Sequence, residues 1–194
     1  MKTGKLLKLR PEPRVDSLTD QLSDVGMVAA CATGDRAARS MLFERHADAL
    51  HRFVSHMRGA DADEVDDLVQ VTFLRAFDAA KRFRGATAHS WLFGIAANVV
   101  KEYARKEIRR KRALGVVAEE LPAVATPRDP TLSRLPDAIA ALGHELRAAF
   151  VLVDLEGERG IDAAAALGIP QGTLWRRVFE ARTALRRALQ GGES

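Results

Sequence analysis

The chain has 194 residues, 47% of them hydrophobic, with Lys+Arg 30 against Asp+Glu 26 and a formal net charge of +4. That length allows one large or two small domains with cores of their own, while no apolar run approaches the roughly 20 residues needed to span a bilayer, and a single cysteine, Cys31, excludes an internal disulfide or a cysteine-pair zinc site. The sequence pI of about 9.6 comes with positive charge gathered in stripes, which favours a nucleic-acid partner over a membrane surface and gives no reason to expect membrane insertion.

In chain order, residues 1–22 read as a mobile basic arm carrying Lys2, Lys5, Lys8, Arg10 and Arg14. Pro11 and Pro13 oppose a helix there, and the apolar stretch is too short for export, so a reducing cytoplasm is the expected compartment. Apolar periodicity then predicts a short helix from Asp24 to about Ala32, a break at Gly34, and a longer helix from Asp35 to Met57 with Phe43, Ala47, Leu50, Val54 and Met57 on its buried stripe. A third helix is expected from Ala62 or Glu64 to Ala80, and a fourth from near Thr87 to about Arg112. Together these four form one bundle over residues 23–113.

Pro122, Pro127, Pro130 and Pro136 mark residues 114–134 as a linker, because none can continue a helix and small polar residues replace the periodic apolar ones. Beyond it, a helix from about Pro136 to Asp154 presents Ile139, Leu142, Leu146, Phe150 and Val153, followed by a turn from Gly157 to Gly160. A helix-turn-helix then closes a second domain over residues 135–190. The expected fold class is all-α: two small helical domains joined by a flexible linker.

Three of these helices carry functional signals. In the third, Val65, Leu68, Val69, Thr72, Phe73, Ala76 and Phe77 make one apolar face, yet Val71 and Leu74 lie on the other side beside Asp67, Gln70 and Arg75. One face packs in the bundle; the mixed face suits a partner, although isolated exposed apolar residues are also ordinary. In the fourth, Phe83, Trp91, Phe93 and Tyr103 precede or interleave with Lys101, Arg105, Lys106, Arg109, Arg110, Lys111 and Arg112. Aromatic rings beside phosphate-neutralising cations favour opened or single strands, with Asn98 able to bond a base edge; core packing is the plainer reading of the aromatics. In the last helix, Leu174, Val178, Ala181, Leu185 and Leu189 recur at helical spacing and leave Trp175, Arg176, Arg177 and Arg182 on or beside the outward surface. Such a helix can enter a major groove, its first turn after Gln171 offering unpaired N–H groups to a phosphate.

Taken together, the motifs resemble the small two-domain extracytoplasmic-function sigma factors of bacterial RNA polymerase. DDLVQVTFLRAF, from Asp66 to Phe77, is similar to the family helix that grips the β-prime clamp; Asp67, Leu68, Gln70, Thr72, Phe73 and Arg75 match. WLFGIAANVVKEYARK, from Trp91 to Lys106, is similar to the helix that recognises and melts the proximal promoter element, and GIPQGTLWRRVFEAR, from Gly168 to Arg182, to the helix-turn-helix that reads the distal one. Val71 stands where the family usually has Glu, Ala97 where Arg is frequent, and Trp175 and Glu180 where basic residues are common.

The resemblance implies no catalytic residue, metal or cofactor, and three partners: core RNA polymerase through its β-prime clamp and β flap, promoter DNA, and an anti-sigma factor. It assigns Asp67, Leu68, Gln70, Val71, Leu74 and Arg75 to polymerase. Arg84, His89, Trp91, Asn98, Lys101, Arg105, Lys106 and Arg109 go to proximal promoter DNA, with a base-capturing pocket between the loop Arg84 to Ser90 and Asn98. Gln171, Gly172, Thr173, Trp175, Arg176, Arg177 and Arg182 go to the distal element.

Two other classes compete. A stand-alone helix-turn-helix regulator would bind duplex DNA without polymerase, but no heptad run offers the dimer seam that a two-fold operator needs. A metal enzyme could draw on Asp61, Asp63, Glu64, Asp66 and Asp67 with His46, His51 and His56; the histidine spacing of five disperses the rings around a helix instead of stacking them.

Overall fold

The computed structural model describes residues 18–58, 62–84, 87–113 and 134–190. The basic arm up to residue 17, the linker over 114–133, Asp61 and the side chain of Lys111 lie outside them. Eight α-helices carry the described fold, with no strand among these residues: α1 (Leu18–Ala32), α2 (Arg36–Arg58), α3 (Ala62–Ala79), α4 (Ala88–Ala113), α5 (Arg134–Ala141), α6 (His144–Phe150), α7 (Gly160–Leu167) and α8 (Gln171–Gln190).

Local chemistry sets the boundaries. Asp35 begins α2 as its N-cap, its Oδ1 accepting from the Ala37 and Ala38 amides at 2.8 and 3.1 Å. Thr87 does the same for α4, accepting from the Ser90 amide at 3.2 Å. At the end of α7, Gly168 adopts φ 64°, and the amides of Gly168 and Ile169 return to the carbonyls of Ala165 and Ala164. This left-handed cap is the turn of the helix-turn-helix.

Three sequence expectations change. α1 begins at Leu18, so the helix takes in residues that the charge pattern had assigned to the arm. The buried face of α2 is Ala38, Leu42, His46, Ala49, Leu50, Phe53, Val54 and Met57, whereas Phe43 is 47% exposed. That face is rotated because α2 packs against α1, α3 and α4 at once, a wider apolar arc than a single stripe. The helix expected from Pro136 to Asp154 is divided. It breaks at Leu142-Gly143, where Gly143 is extended and the Arg147 guanidinium donates to the Leu142 carbonyl at 2.9 Å and to that of Ala140. It then passes into π-turns over Val151–Leu155.

Phe53 of α2 and Phe93 of α4 meet at 4.9 Å between ring centroids in the core of the first bundle, where Leu42, Leu50, Val65, Leu92 and Val100 are also fully buried. Full burial of each such side chain contributes about 1.5–3 kcal/mol. Around α8, Leu174, Val178, Ala181 and Leu185 pack against α6 and α7.

The two groups of helices also touch. α7 crosses α4 so closely that a Cβ added at Gly94 would overlap the Ala166 carbonyl oxygen. From α6, Arg147 donates to the Met57 carbonyl at 2.5 Å, capping the end of α2. Glu158 binds the Ser90 hydroxyl and lies 3.5 Å from His89 Nε2.

Candidate nucleic-acid and partner interface

α3 has the two faces its sequence predicts. Val65, Leu68, Val69, Thr72, Phe73 and Ala76 are buried, while Asp67, Gln70, Val71, Leu74 and Arg75 are exposed, Leu74 by 56%. Leu68 therefore supports the outer face from beneath. Arg75 reaches α4 to pair with Glu102 at 2.7 Å, and each holds the other in its charged form: the hydrogen bond lowers the carboxyl pKa and raises that of the guanidinium. Between the two helices lies a groove of about 440 Å³ with Leu68, Val71, Val99 and Tyr103 among its apolar lining and Arg75, Arg105, Lys106 and Arg109 as its cations.

α4 changes character along its length. Its first turns are enclosed. Phe93 is 1% exposed and belongs to the core, so it offers no stacking surface. Trp91 is half-buried, edge-on to Phe83 at 5.0 Å. His89 is only 15% exposed, with His46 Nδ1 at 3.4 Å on one side and Glu158 on the other; the expected loop up to Ser90 has already become helix at Ala88. Burial lowers the pKa of His46, keeping it toward the neutral form against the pull of Asp24. Arg84 is exposed and its guanidinium donates to the Phe83 carbonyl at 2.8 Å.

Asn98 is exposed. Its Nδ2 donates to the Gly94 carbonyl at 3.1 Å, which fixes the amide and leaves its Oδ1 as an acceptor. Beyond it Arg105, Lys106 and Arg109 are exposed and make no ion pair among the described residues, while Tyr103 donates to Glu64 at 3.1 Å.

α8 is outward-facing along Gln171, Gly172, Trp175, Arg176, Phe179 and Arg182, with Thr173 half-buried. Trp175 packs on the start of α7, where a Cβ at Gly160 would come within 2.5 Å of the indole. Three of the five arginines of this helix are already engaged: Arg176 with Glu180 at 3.3 Å, Arg182 with Asp154 through two hydrogen bonds at 2.5 and 3.0 Å, and Arg177 with Glu145. Sequence reasoning passed over Phe179, which at 71% is the most exposed large apolar side chain described. Its signal was available, since it follows Trp175 by one helical turn on the outward face.

No group of three His, Cys, Asp or Glu suited to a metal occurs among the described residues; Glu64 binds Arg58 and Tyr103, and His51 pairs with Asp66 at 3.4 Å. No described helix is long and apolar enough to cross a membrane.

Residues 42–110 match the family model of sigma-70 region 2, a span covering most of α2 through α4. Along nearly the whole chain, the sequence is 31% identical over 192 residues to the ECF RNA polymerase sigma-E factor of Haemophilus influenzae, covering 89% of this chain and 98% of that protein. Its counterpart in Escherichia coli K12 is 31% identical over 188 residues, covering 89% and 97%. Among solved structures, the sigma factor RpoE of Bartonella quintana, in complex with the anti-sigma factor NepR, superposes with a TM-score of 0.65 at 28% identity, covering 79% of this chain and 98% of that one. CnrH in complex with the cytosolic domain of CnrY gives 0.63 at 25% identity, covering 88% and 99%.

Proposed function

Because the chain belongs to the ECF sigma factors and directs transcription initiation by RNA polymerase, we propose that it docks on the polymerase clamp through α3 and reads a two-part promoter through α4 and α8. The observation that carries this reading is the outer edge of α3 and α4. Exposed Val71 and Leu74, with Asp67 and Gln70, give an apolar anchor with a polar rim, and one helix away Arg105, Lys106 and Arg109 are exposed without an ion pair among the described residues. Docking and phosphate neutralisation are thus adjacent, and neither needs side chains withdrawn from the core.

In the proximal step, Asn98 accepts a base that has left the stack of the non-template strand while Lys101, Arg105 and Lys106 hold its backbone. Stacking on a half-buried ring such as Trp91 contributes roughly 1–3 kcal/mol, enough to offset much of the few kcal/mol that extrusion costs. In the distal step, the N-terminal turn of α8 and Arg176 set the register on the phosphates, and Trp175 and Phe179 meet base edges, an exposed phenyl ring suiting a thymine methyl group. An anti-sigma factor, as in the two similar structures, would compete for these same faces.

Reconstituted transcription tests the proposal. The purified chain, added to sigma-free core polymerase with a genomic promoter library, should give specific starts preceded by one shared two-part motif. Absence of transcripts together with absence of co-elution on the core enzyme would overturn the proposed docking through α3.

A further inference from the structure

α8 carries five arginines and a single acidic residue, Glu180, which is exposed. A helix that approaches a polyanion loses affinity by presenting a carboxylate, so a place on the outward face calls for a reason. Helix stability does not supply one. An ion pair four residues apart favours the acid on the N-terminal side, and here Arg176 precedes Glu180.

The pairing differs from its neighbours. Arg177 and Arg182 are tied to Glu145 on α6 and to Asp154 in the π-turns, both outside the helix. Arg176 is paired within α8, so it and Glu180 can enter a groove as one unit with the helix. Its guanidinium donates to Glu180 Oε1 at 3.3 Å, while Oε2 has no hydrogen-bond partner among the described residues. Trp175 and Phe179, each one position earlier, form the adjoining row of the same exposed face.

An ionised carboxylate can only accept hydrogen bonds. In the major groove guanine presents two acceptors, thymine an acceptor and a methyl group, and adenine an acceptor beside its amino donor. Cytosine alone presents a donor without an acceptor. The unengaged Oε2 therefore matches one base of the four. Arg176, with one nitrogen on Oε1, keeps further N–H groups for a phosphate and so places a cation between the carboxylate and the DNA backbone.

We propose that Glu180 selects a cytosine in the distal promoter element, with Arg176 as its positioning residue, one side on a phosphate and the other on the carboxylate. The inference rests on the proposed reading of duplex DNA through α8 and adds a base identity to it.

Transcription by core polymerase with the full chain tests it, on a template library that keeps one proximal element, randomises the distal one and carries a barcode in the transcribed region. The proximal element is the one shared by the starts found in the reconstituted assay. The parent chain should favour cytosine at one distal position by about tenfold, the low side of what a good side-chain-to-base contact gives. Glu180→Gln keeps the shape but adds a donor, and because a glutamine amide pairs with adenine N6 and N7, the preference there should move from cytosine to adenine. Glu180→Ala should flatten that position and raise output from the non-cytosine templates, since a repelling charge has gone. Arg176→Ala should lower output from every template and also weaken the cytosine preference, at that position and no other.

A parent chain with no cytosine preference at any distal position overturns the proposal, as does a preference that Glu180→Gln and Glu180→Ala leave in place. Glu180 variants that rescale all templates equally overturn it too, reducing Glu180 to a solvated charge. The promoter reading fails differently. Output indifferent to the whole distal sequence removes α8 from the DNA and takes both ideas with it, whereas a distal motif read independently of Glu180 leaves that reading standing and removes the cytosine assignment alone.

Discussion

The two basic helices, α4 and α8, have the same amino-acid signature and opposite surroundings. In α4 the aromatic Phe93 is core and the terminal cations Arg105, Lys106 and Arg109 are exposed without an ion pair among the described residues. In α8 the aromatics Trp175 and Phe179 are exposed, and Arg176, Arg177 and Arg182 each hold a carboxylate. An aromatic-and-arginine pattern therefore does not say which member meets DNA. Position relative to the packed face decides it: α4 is sandwiched between α2, α3 and α7, while α8 is covered mainly from the side of α5 to α7.

Replacing the two phenylalanines exposes the contrast most sharply. Phe93→Ala should cost about 3–5 kcal/mol of stability by leaving a cavity beside Phe53, read as a shifted denaturant midpoint. A loss below 1 kcal/mol would mean that α4 is not anchored as described. Asn98→Ala should slow open-complex formation about tenfold, the equivalent of a good hydrogen bond of about 1.4 kcal/mol, without weakening polymerase binding. Equal promoter melting by variant and parent would remove Asn98 from base capture. At the other helix, Phe179→Ala should leave stability within about 0.5 kcal/mol, as for an exposed site, yet weaken promoter binding by about 1 kcal/mol, comparable to one mild base-pair mismatch. No loss of binding would place the ring off the DNA.

Smaller effects separate paired from unpaired cations. On random duplex, Arg109→Ala should reduce the slope of log affinity against log salt by about 0.9, one phosphate contact, whereas Arg177→Ala in the free chain should change it less because Glu145 occupies the guanidinium. Equal changes would show that the pairing does not persist in solution. The mildest test is pH. Burial first, then the charges of Lys101 and Arg147, brings the His144 pKa down to about 4, against an ordinary 6.5, with Glu145 opposing. A histidine shifted this way contributes stability that is complete above pH 6.5 and declines as pH falls from there toward 4, because the unfolded chain takes up the proton first. His46 and His56 are shifted in the same direction. Thermal midpoints should therefore fall between pH 7 and pH 5; a flat profile would mean that His144 is not enclosed beside Lys101.

By itself the sequence determined most of the helices and the faces of α3 and α8. Period 3.6 apolar spacing placed α2, α3, α4 and α8 within a residue or two, Asp35 and Thr87 marked two helix starts, and Gly168 marked the turn before α8, because each of these signals acts over one or two helical turns. The exposed edge of α3 was also legible, since Val71 and Leu74 break its own periodicity. Tertiary structure decided which apolar residue is core when two faces compete, as with Phe43 against Leu42 and Phe93 against Phe179. It also decided the division of the helix after Pro136, which depends on Arg147 bonding carbonyls on two elements. The pairings of Glu145 with Lys101 and Arg177, and of Glu158 with Ser90, were decided at the same level. No local rule could supply them: an ion pair across 32 or 44 residues exists only after packing brings the two helices together, and nothing in either residue's neighbourhood along the chain encodes its partner.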